Sequence, residues 1–208
     1  MEIERIVVGP IETNCYIVSD TECHEAVVID PGFEEDLIIN YLKEKELNVQ
    51  YILNTHGHFD HIQANDALRD FTDAPLAIHA DDVELLTAPE KVSMGMMRDV
   101  HGSKKPEIIL HNGDRIAFGR YELQVIYTPG HSKGGCCFYE EHEKVCFTGD
   151  TLFRGGVGRT DLYGGNTGVL LKSVRERLQV LTDDTKVYPG HGPSSDMGFE
   201  RKVNPYLR

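Results

Sequence analysis

Residues 55–61 read THGHFDH, three histidines and an aspartate within seven positions of a 208-residue chain that holds ten histidines in all. In an extended segment side chains two apart point the same way, so His56 and His58 can converge on one ion as the chain leaves the β-like run ending at Thr55. Gly57 between them permits a bend. Asp60 and His61 fall where a helix is expected to begin, over about Asp60 to Arg69, and they diverge from the first pair, placed for a second ion. Imidazole nitrogen with carboxylate oxygen suits zinc, and iron or manganese less selectively. A two-metal centre needs more donors than one loop provides. His131 in TPGHSKGG, Asp150 in CFTGDT and His191 in YPGHGP each stand just past a β-like run and beside a glycine that lets the backbone approach closely. Asp150, with two carboxylate oxygens, can bridge two ions. The expected sets are His56, His58 and His131 for one ion, Asp60, His61 and His191 for the other, with Asp150 shared. His24, His79, His101, His111 and His142 lack such context and are read as ordinary histidines.

β-like runs surround the cluster. IERIVV, CYIV, EAVVID and VQYILNT follow one another through the first 55 residues, separated by turn residues at Gly9-Pro10, Ser19-Asp20 and Pro31-Gly32. Between Glu34 and Glu46, Leu37, Ile38, Tyr41 and Leu42 repeat at helical spacing, with Glu34, Glu35, Lys43 and Lys45 left for solvent. APLAIHA predicts a further strand, and Thr87 to Lys105, without clean periodicity, predicts an irregular flap. RIAFG, YELQVIYT, GCCFYEE and KVCFTG repeat the strand pattern, followed by a helix over roughly Thr167 to Leu178 and a strand KVYPG. Two batches of strands with helices predict two sheets packed face to face and helices outside, a four-layer α/β arrangement. No linker rich in Pro, Ser or Gly divides it, so one domain over residues 1–208 is expected.

The formal charge of −13 and pI near 5.1 oppose polyanions, which argues against nucleic acid or an anionic membrane surface as partner. The opening MEIERIVVGPIETNCYIV lacks the order of a secretory signal, and no window approaches the ~18 apolar residues of a membrane span. The five cysteines, Cys15, Cys23, Cys136, Cys137 and Cys146, cannot all pair within one chain and are read as reduced, buried thiols of a cytoplasmic protein.

The set THGHFDH, PGHS, FTGD and PGHG resembles the metallo-β-lactamase superfamily, whose motifs run in this order across nearly the whole chain. Closer still is the short, single-domain form of glyoxalase II, hydroxyacylglutathione hydrolase, in which LFRGGVGRTD and an ending like PGHGPSSDMGFERKVNPYL recur. The resemblance implies an αββα sandwich with two divalent ions, zinc first and iron or manganese otherwise, at one edge between the sheets. It implies the same ligand roles for His56, His58, Asp60, His61, His131, Asp150 and His191. The β-lactamases usually place cysteine where this chain has Asp150 and lack a histidine like His61. RNA-processing members add surfaces for polyanions. Persulfide dioxygenases are the nearer rival, sharing HxHxDH and GRTD but holding one ferrous ion with two histidines and an aspartate; the tail favours glyoxalase II. A lactonase or a non-catalytic metal-binding scaffold is less expected, since structural zinc sites are closed and commonly rich in cysteine.

The implied reaction is hydrolysis of a small-molecule thioester, S-lactoylglutathione or a related 2-hydroxyacyl thioester. A water bridging two ions loses its proton near neutral pH, since one zinc already lowers the pKa of bound water to ~7. Asp60, ligating through one oxygen, would orient that nucleophile through the other, and is the candidate catalytic side chain. Thiolate leaves without a dedicated acid. Lys133, Arg154 and Arg159 follow ligand positions closely and could meet a substrate carboxylate, although Arg159 is as readily paired with Asp161. Two-domain glyoxalase II proteins carry a helical domain with basic residues for glutathione; the tail here is too short for one, and Arg201 and Lys202 could contribute only a little. A monomer or small homo-oligomer is expected.

Overall fold

Period-two alternation sorts the strand residues between layers. In β2 (Thr13–Ser19) Cys15 and Ile17 join one buried cluster while Tyr16 and Val18 join another, and in β3 (Glu25–Ile29) Ala26 and Val28 part in the same way from Val27 and Ile29. A strand apolar on both faces must be covered on both faces, and that requirement builds the sandwich. The structure, a computed structural model, describes residues 1–89 and 100–207.

The first sheet runs in the order β1 (Glu2–Val8), β2, β3, β4 (Asn48–Leu53), β5 (Leu76–His79), β6 (Ile108–Leu110), antiparallel through β3 and parallel beyond it. The second runs β14 (Ser195–Asp196), β13 (Lys186–Pro189), β10 (Val145–Gly149), β9 (Cys136–Glu140), β8 (Tyr121–Tyr127), β7 (Arg115–Phe118), with β10 and β13 parallel and the other pairs antiparallel. A short ribbon of β11 (Leu152–Phe153) and β12 (Gly156–Val157) follows β10. Helices α1 (Glu35–Glu44) and α2 (Asn65–Thr72) bring Ile38, Leu42 and Leu68 onto Cys15, Ile17, Ala26 and Val28. Between the sheets Tyr16, Val18 and Leu53 meet Phe118, Phe138 and Phe147. Beyond the second sheet, α4 (Thr167–Ser173), its π-turn continuation Val174–Leu178, and α5 (Met197–Val203) set Leu170, Val174 and Met197 on Cys137, Cys146 and Val187. The layers are therefore helix, sheet, sheet, helix, as predicted. One more helix, α3 (Val83–Thr87), follows β5 through the 3₁₀ turn Ala80–Asp82.

The helix expected from Asp60 to Arg69 is corrected: Phe59–His61 make a single 3₁₀ turn, and α2 begins at Asn65. A helix from Asp60 would need the His61 carbonyl to accept from the Asn65 amide. That carbonyl instead accepts from Asn54 Nδ2 at 3.0 Å, while Asn65 N donates to Ile62 O at 3.1 Å. The ligand segment is thus held as a loop on the end of β4. Of the expected flap Thr87 to Lys105, residues 90–99 lie outside the described residues; its far end returns to α3, where Ser103 N donates to Leu86 O at 3.0 Å. β6, α3 and α5 carried too little periodicity to be predicted.

All five cysteines are free thiols, and four of them sit in three different apolar layers while Cys23 is exposed. The folded protein is therefore expected to react with a thiol reagent at about one site per chain, and at all five after denaturation. Two or more fast thiols in the native protein would contradict this packing. Among the described residues no helix is long and apolar enough to cross a membrane.

Candidate metal centre

Five strand ends meet at one edge of the sandwich. β3 delivers Asp30, β4 delivers Thr55 and His56, β8 leads to His131, β10 to Asp150 and β13 to His191. β2 fixes the last of these: Asn14 N donates to Gly190 O at 2.7 Å, and Asn14 Nδ2 and Tyr16 Oη donate to Pro189 O at 2.8 and 2.7 Å. The ligand atoms of His56, His58 and His131 lie within 4.8 Å of one another, and so do those of Asp60, His61 and His191. Asp150 stands between the sets, its Oδ2 3.4 Å from His131 Nε2 and 3.6 Å from His191 Nε2, with Oδ1 3.5 Å from His61 Nε2. All seven residues singled out in the sequence thus converge, while His79 stacks on Tyr127 at 4.2 Å and belongs to neither set.

The donors fit metal ions. Nε2 of His56, His58, His61 and His131, and Oδ1 of Asp150, are buried and have no hydrogen-bond partner. Each such atom costs ~1–3 kcal/mol if left unsatisfied, and five in one cluster are explained by cations that accept their lone pairs. A Cβ on Gly190 would stand 2.3 Å from Asp150 Oδ1 and 2.8 Å from His61 Cε1, so glycine keeps the space open. The outward ring nitrogens are held by the protein, as metal-ligating imidazoles require. His131 Nδ1 lies 2.7 Å from Arg159 O, His191 Nδ1 3.1 Å from Ile11 O, and His56 Nδ1 3.0 Å from Thr55 Oγ1. Asp30 accepts from Thr55 N and Oγ1, both at 2.7 Å, and its Oδ2 is 3.0 Å from His61 Nδ1. Asp30, His56 and His61 also form a close donor group, but the bonds to Thr55 occupy Asp30 as an outer carboxylate that aims His61 Nε2 inward.

Burial, then the neighbouring histidines, push the His56 and His58 pKa values well below the ordinary imidazole range, so both rings stay neutral and ready to donate a lone pair. Burial also acts to lower His61, but the Asp60 and Asp30 carboxylates outweigh it and hold its pKa well above the usual value. Burial opposes ionisation of Asp60, yet His61 and His191 beside it keep its pKa well below the usual range. Thr13 Oγ1 donates to Asp60 Oδ2 at 3.0 Å.

Several supporting residues were not singled out in the sequence. Asp82, fully buried, joins the two loops of the first set. Glu200, also fully buried, accepts from Gly155 N at 2.9 Å, Asn204 Nδ2 at 2.8 Å and Ser195 Oγ, tying α5 to the loop that leads to Arg159. These ties explain why LFRGGVGRTD and the ERKVN tail belong together. Single acidic residues at strand or helix ends give no sequence signal of such roles. Arg159 is paired bidentately with Asp161, Nε to Oδ1 and Nη2 to Oδ2 at 2.7 Å each. Arg154 lies over Phe199 at 4.8 Å and Lys133 over Tyr163 at 4.8 Å. Arg201, expected to add a little to substrate binding, is instead engaged by Asp183 and by the carbonyls of Gln179 and Leu181.

The profile of the metallo-beta-lactamase superfamily matches residues 8–196. The chain is 41% identical to a probable metallo-hydrolase, YqgX, of Bacillus subtilis, over 100% of this chain and 98% of that protein. It is 32% identical to the hydroxyacylglutathione hydrolase GloC of Haemophilus influenzae, again over 100% of this chain and 98% of the other. Among solved structures it is similar to the BLEG-1 B3 metallo-beta-lactamase, with a TM-score of 0.93 and 37% identity over 99% of both chains. It is similar to TTHA1623 in a di-iron-bound form, with a TM-score of 0.86 and 36% identity over 98% of this chain and 100% of that one. ETHE1 from Myxococcus xanthus gives a TM-score of 0.83 at 29% identity, over 99% and 84%. Profile, relatives and a histidine–aspartate centre at the sandwich edge agree, and the chain belongs to the metallo-beta-lactamase superfamily.

Proposed function

We propose that the protein is a hydrolase of small-molecule thioesters, S-lactoylglutathione or related 2-hydroxyacyl thioesters, working with two divalent ions, zinc or alternatively iron or manganese. The observation that carries this reading is Asp150, whose Oδ2 faces His131 Nε2 and His191 Nε2 at 3.4 and 3.6 Å, one carboxylate shared between two donor sets. His56, His58 and His131 would hold one ion and Asp60, His61 and His191 the other. The GloC relative and the di-iron neighbour support the substrate class and the pair of ions respectively. When bound, such ions acidify water to near neutral pKa and polarise a carbonyl.

The chain's own residues do the rest. Thr13 Oγ1, His61 Nε2 and His191 Nε2 gather on Asp60 Oδ2 at 3.0, 3.2 and 3.2 Å, which supports the reading that the other carboxylate oxygen of Asp60 would orient the attacking water. Thiols have pKa values of ~8.5, so the thiolate departs without a general acid. Elemental analysis with paired assays tests the reading. About two ions per chain and thioester hydrolysis are expected; one ion, iron dependence and oxygen consumption on glutathione persulfide would replace it with a dioxygenase.

The cations after the ligand positions are already engaged, Arg159 by Asp161, Arg154 by Phe199 and Lys133 by Tyr163. A substrate carboxylate must displace Asp161 to reach Arg159, so that side chain adds little binding energy to distant parts of the thiol. The kcat/KM for S-lactoylglutathione is therefore expected to exceed that for the same acyl group on a small, carboxylate-free thiol by less than tenfold, about 1.4 kcal/mol. A thousandfold preference would reveal a dedicated carboxylate site.

A further inference from the structure

Asp82 lies on the 3₁₀ turn Ala80–Asp82 between β5 and α3, fully buried and touching no candidate ligand side chain through its hydrogen bonds. Its Oδ2 accepts from Gly57 N at 2.9 Å and Ser132 Oγ at 2.6 Å, and its Oδ1 accepts from Gly134 N at 2.5 Å. Gly57 separates His56 from His58, and Ser132 follows His131. One carboxylate therefore ties together two loops that hang from different sheets and carry all three histidines of the first set.

The loops are drawn in to contact. A Cβ on Gly57 would lie 2.7 Å from Leu86 N and 2.9 Å from Asp82 O, and a Cβ on Gly134 would lie 2.5 Å from Asp82 N. Only glycine fits at either place, so both loops rest on the Asp82 turn as on a spacer. The second set is anchored elsewhere, through Thr13 to Asp60, Asp30 to His61 and Ile11 to His191.

We propose that Asp82 is a positioning residue that sets the spacing of His56, His58 and His131 and so tunes metal affinity at that one subsite. The inference rests on the two-ion reading above. Two of its three donors are backbone N–H groups, which cannot turn away as the Ser132 hydroxyl can. An asparagine offers one oxygen and aims an NH₂ at a backbone N–H, that of Gly134 or of Gly57 according to its flip, so Asp82→Asn keeps the volume and breaks one backbone tie.

The test titrates chelator-stripped protein with zinc, following ions bound per chain by elemental analysis and affinity by calorimetry. Asp82→Asn is expected to lose tenfold or more in affinity for one ion and keep the other within a factor of two or three, the range typical of lost ligand-supporting bonds. Saturating zinc should then restore most of its kcat. Ser132→Ala, which removes a single donor and leaves the carboxylate in place, should weaken the same ion by a smaller factor and keeps the test open if Asp82→Asn fails to fold. Leu68→Ala, a core truncation under α2, serves as a control for general destabilisation and should bind both ions as the wild type does. Unchanged affinity in Asp82→Asn and Ser132→Ala, or equal weakening of both ions, overturns the proposal. A wild type that binds one ion contradicts the two-ion reading alone, and the clamp is then judged on that ion, whose affinity must still fall.

Discussion

Asp150→Ala is expected to retain at most about one ion per chain and to lose at least ~1,000-fold in thioester kcat/KM, some 4 kcal/mol of transition-state stabilisation. The size follows from position. The carboxylate stands within 3.6 Å of histidines from both donor sets, so its removal would take a ligand from each ion and also the negative charge that offsets two cations in one small space. Its site cannot be refilled by a neighbour, because Gly190 has no side chain and Asp30 is occupied by Thr55. His79→Ala is the matched control: that ring stacks on Tyr127 and its Nδ1 accepts from Asp81 N at 3.3 Å, so metal content should not change. Elemental analysis of the two variants beside the wild type decides the matter. An Asp150→Ala protein with two ions and near-normal turnover would end the shared-carboxylate assignment.

The seven converging residues were legible in the sequence because each stands at a strand end next to a glycine or within HxHxDH, and such spacing is rare by chance. The layers were legible because CYIV, EAVVID and KVCFTG are apolar at consecutive positions, which only a strand covered on both faces tolerates. What escaped was whatever depends on pairing across the chain. Asp82 has no local feature, and its partners Gly57 and Gly134 are 25 and 52 residues distant. Glu200 reads as one more charge in a polar tail, yet it is fully buried, and Gly155, Ser195 and Asn204 all point donors at it. The start of α2 was misplaced for the same reason: Asn54, not the helix, takes the His61 carbonyl. Burial and long-range hydrogen bonds decide these roles, and a single sequence displays neither.

Removal of the ions by a strong chelator is expected to lower the melting temperature by at least ~10 °C. An ion held a thousandfold above its dissociation constant stabilises the fold by about 4.1 kcal/mol, and each kcal/mol is worth about 2–4 °C in a chain of this size. Without ions the histidines themselves then govern the pH response, in two opposed pairs. His56 and His58 have pKa values pushed down, first by burial and then by their neighbours. Below the unfolded value of ~6.5 the unfolded chain takes protons that these folded rings refuse, so stability falls as pH falls from there. His61 and His191 are the reverse: burial works against the charge, but Asp60 with Asp30 around the first, and Asp60 with Asp150 around the second, raise their pKa values. Their contribution is fully present below ~6.5 and is lost as pH rises through the folded values. The two windows lie on opposite sides of the same point, so the melting temperature of the stripped protein should peak near pH ~6.5 and decline in both directions. The ion-loaded protein behaves differently, since protons compete with metal at every ring and acidification alone should weaken it. Melts of stripped and loaded protein from pH 5 to 8 separate these outcomes. A stripped protein that melts where the loaded one does, or one whose stability climbs steadily across that range, would show that the cluster neither binds ions tightly nor carries the charges assigned to it.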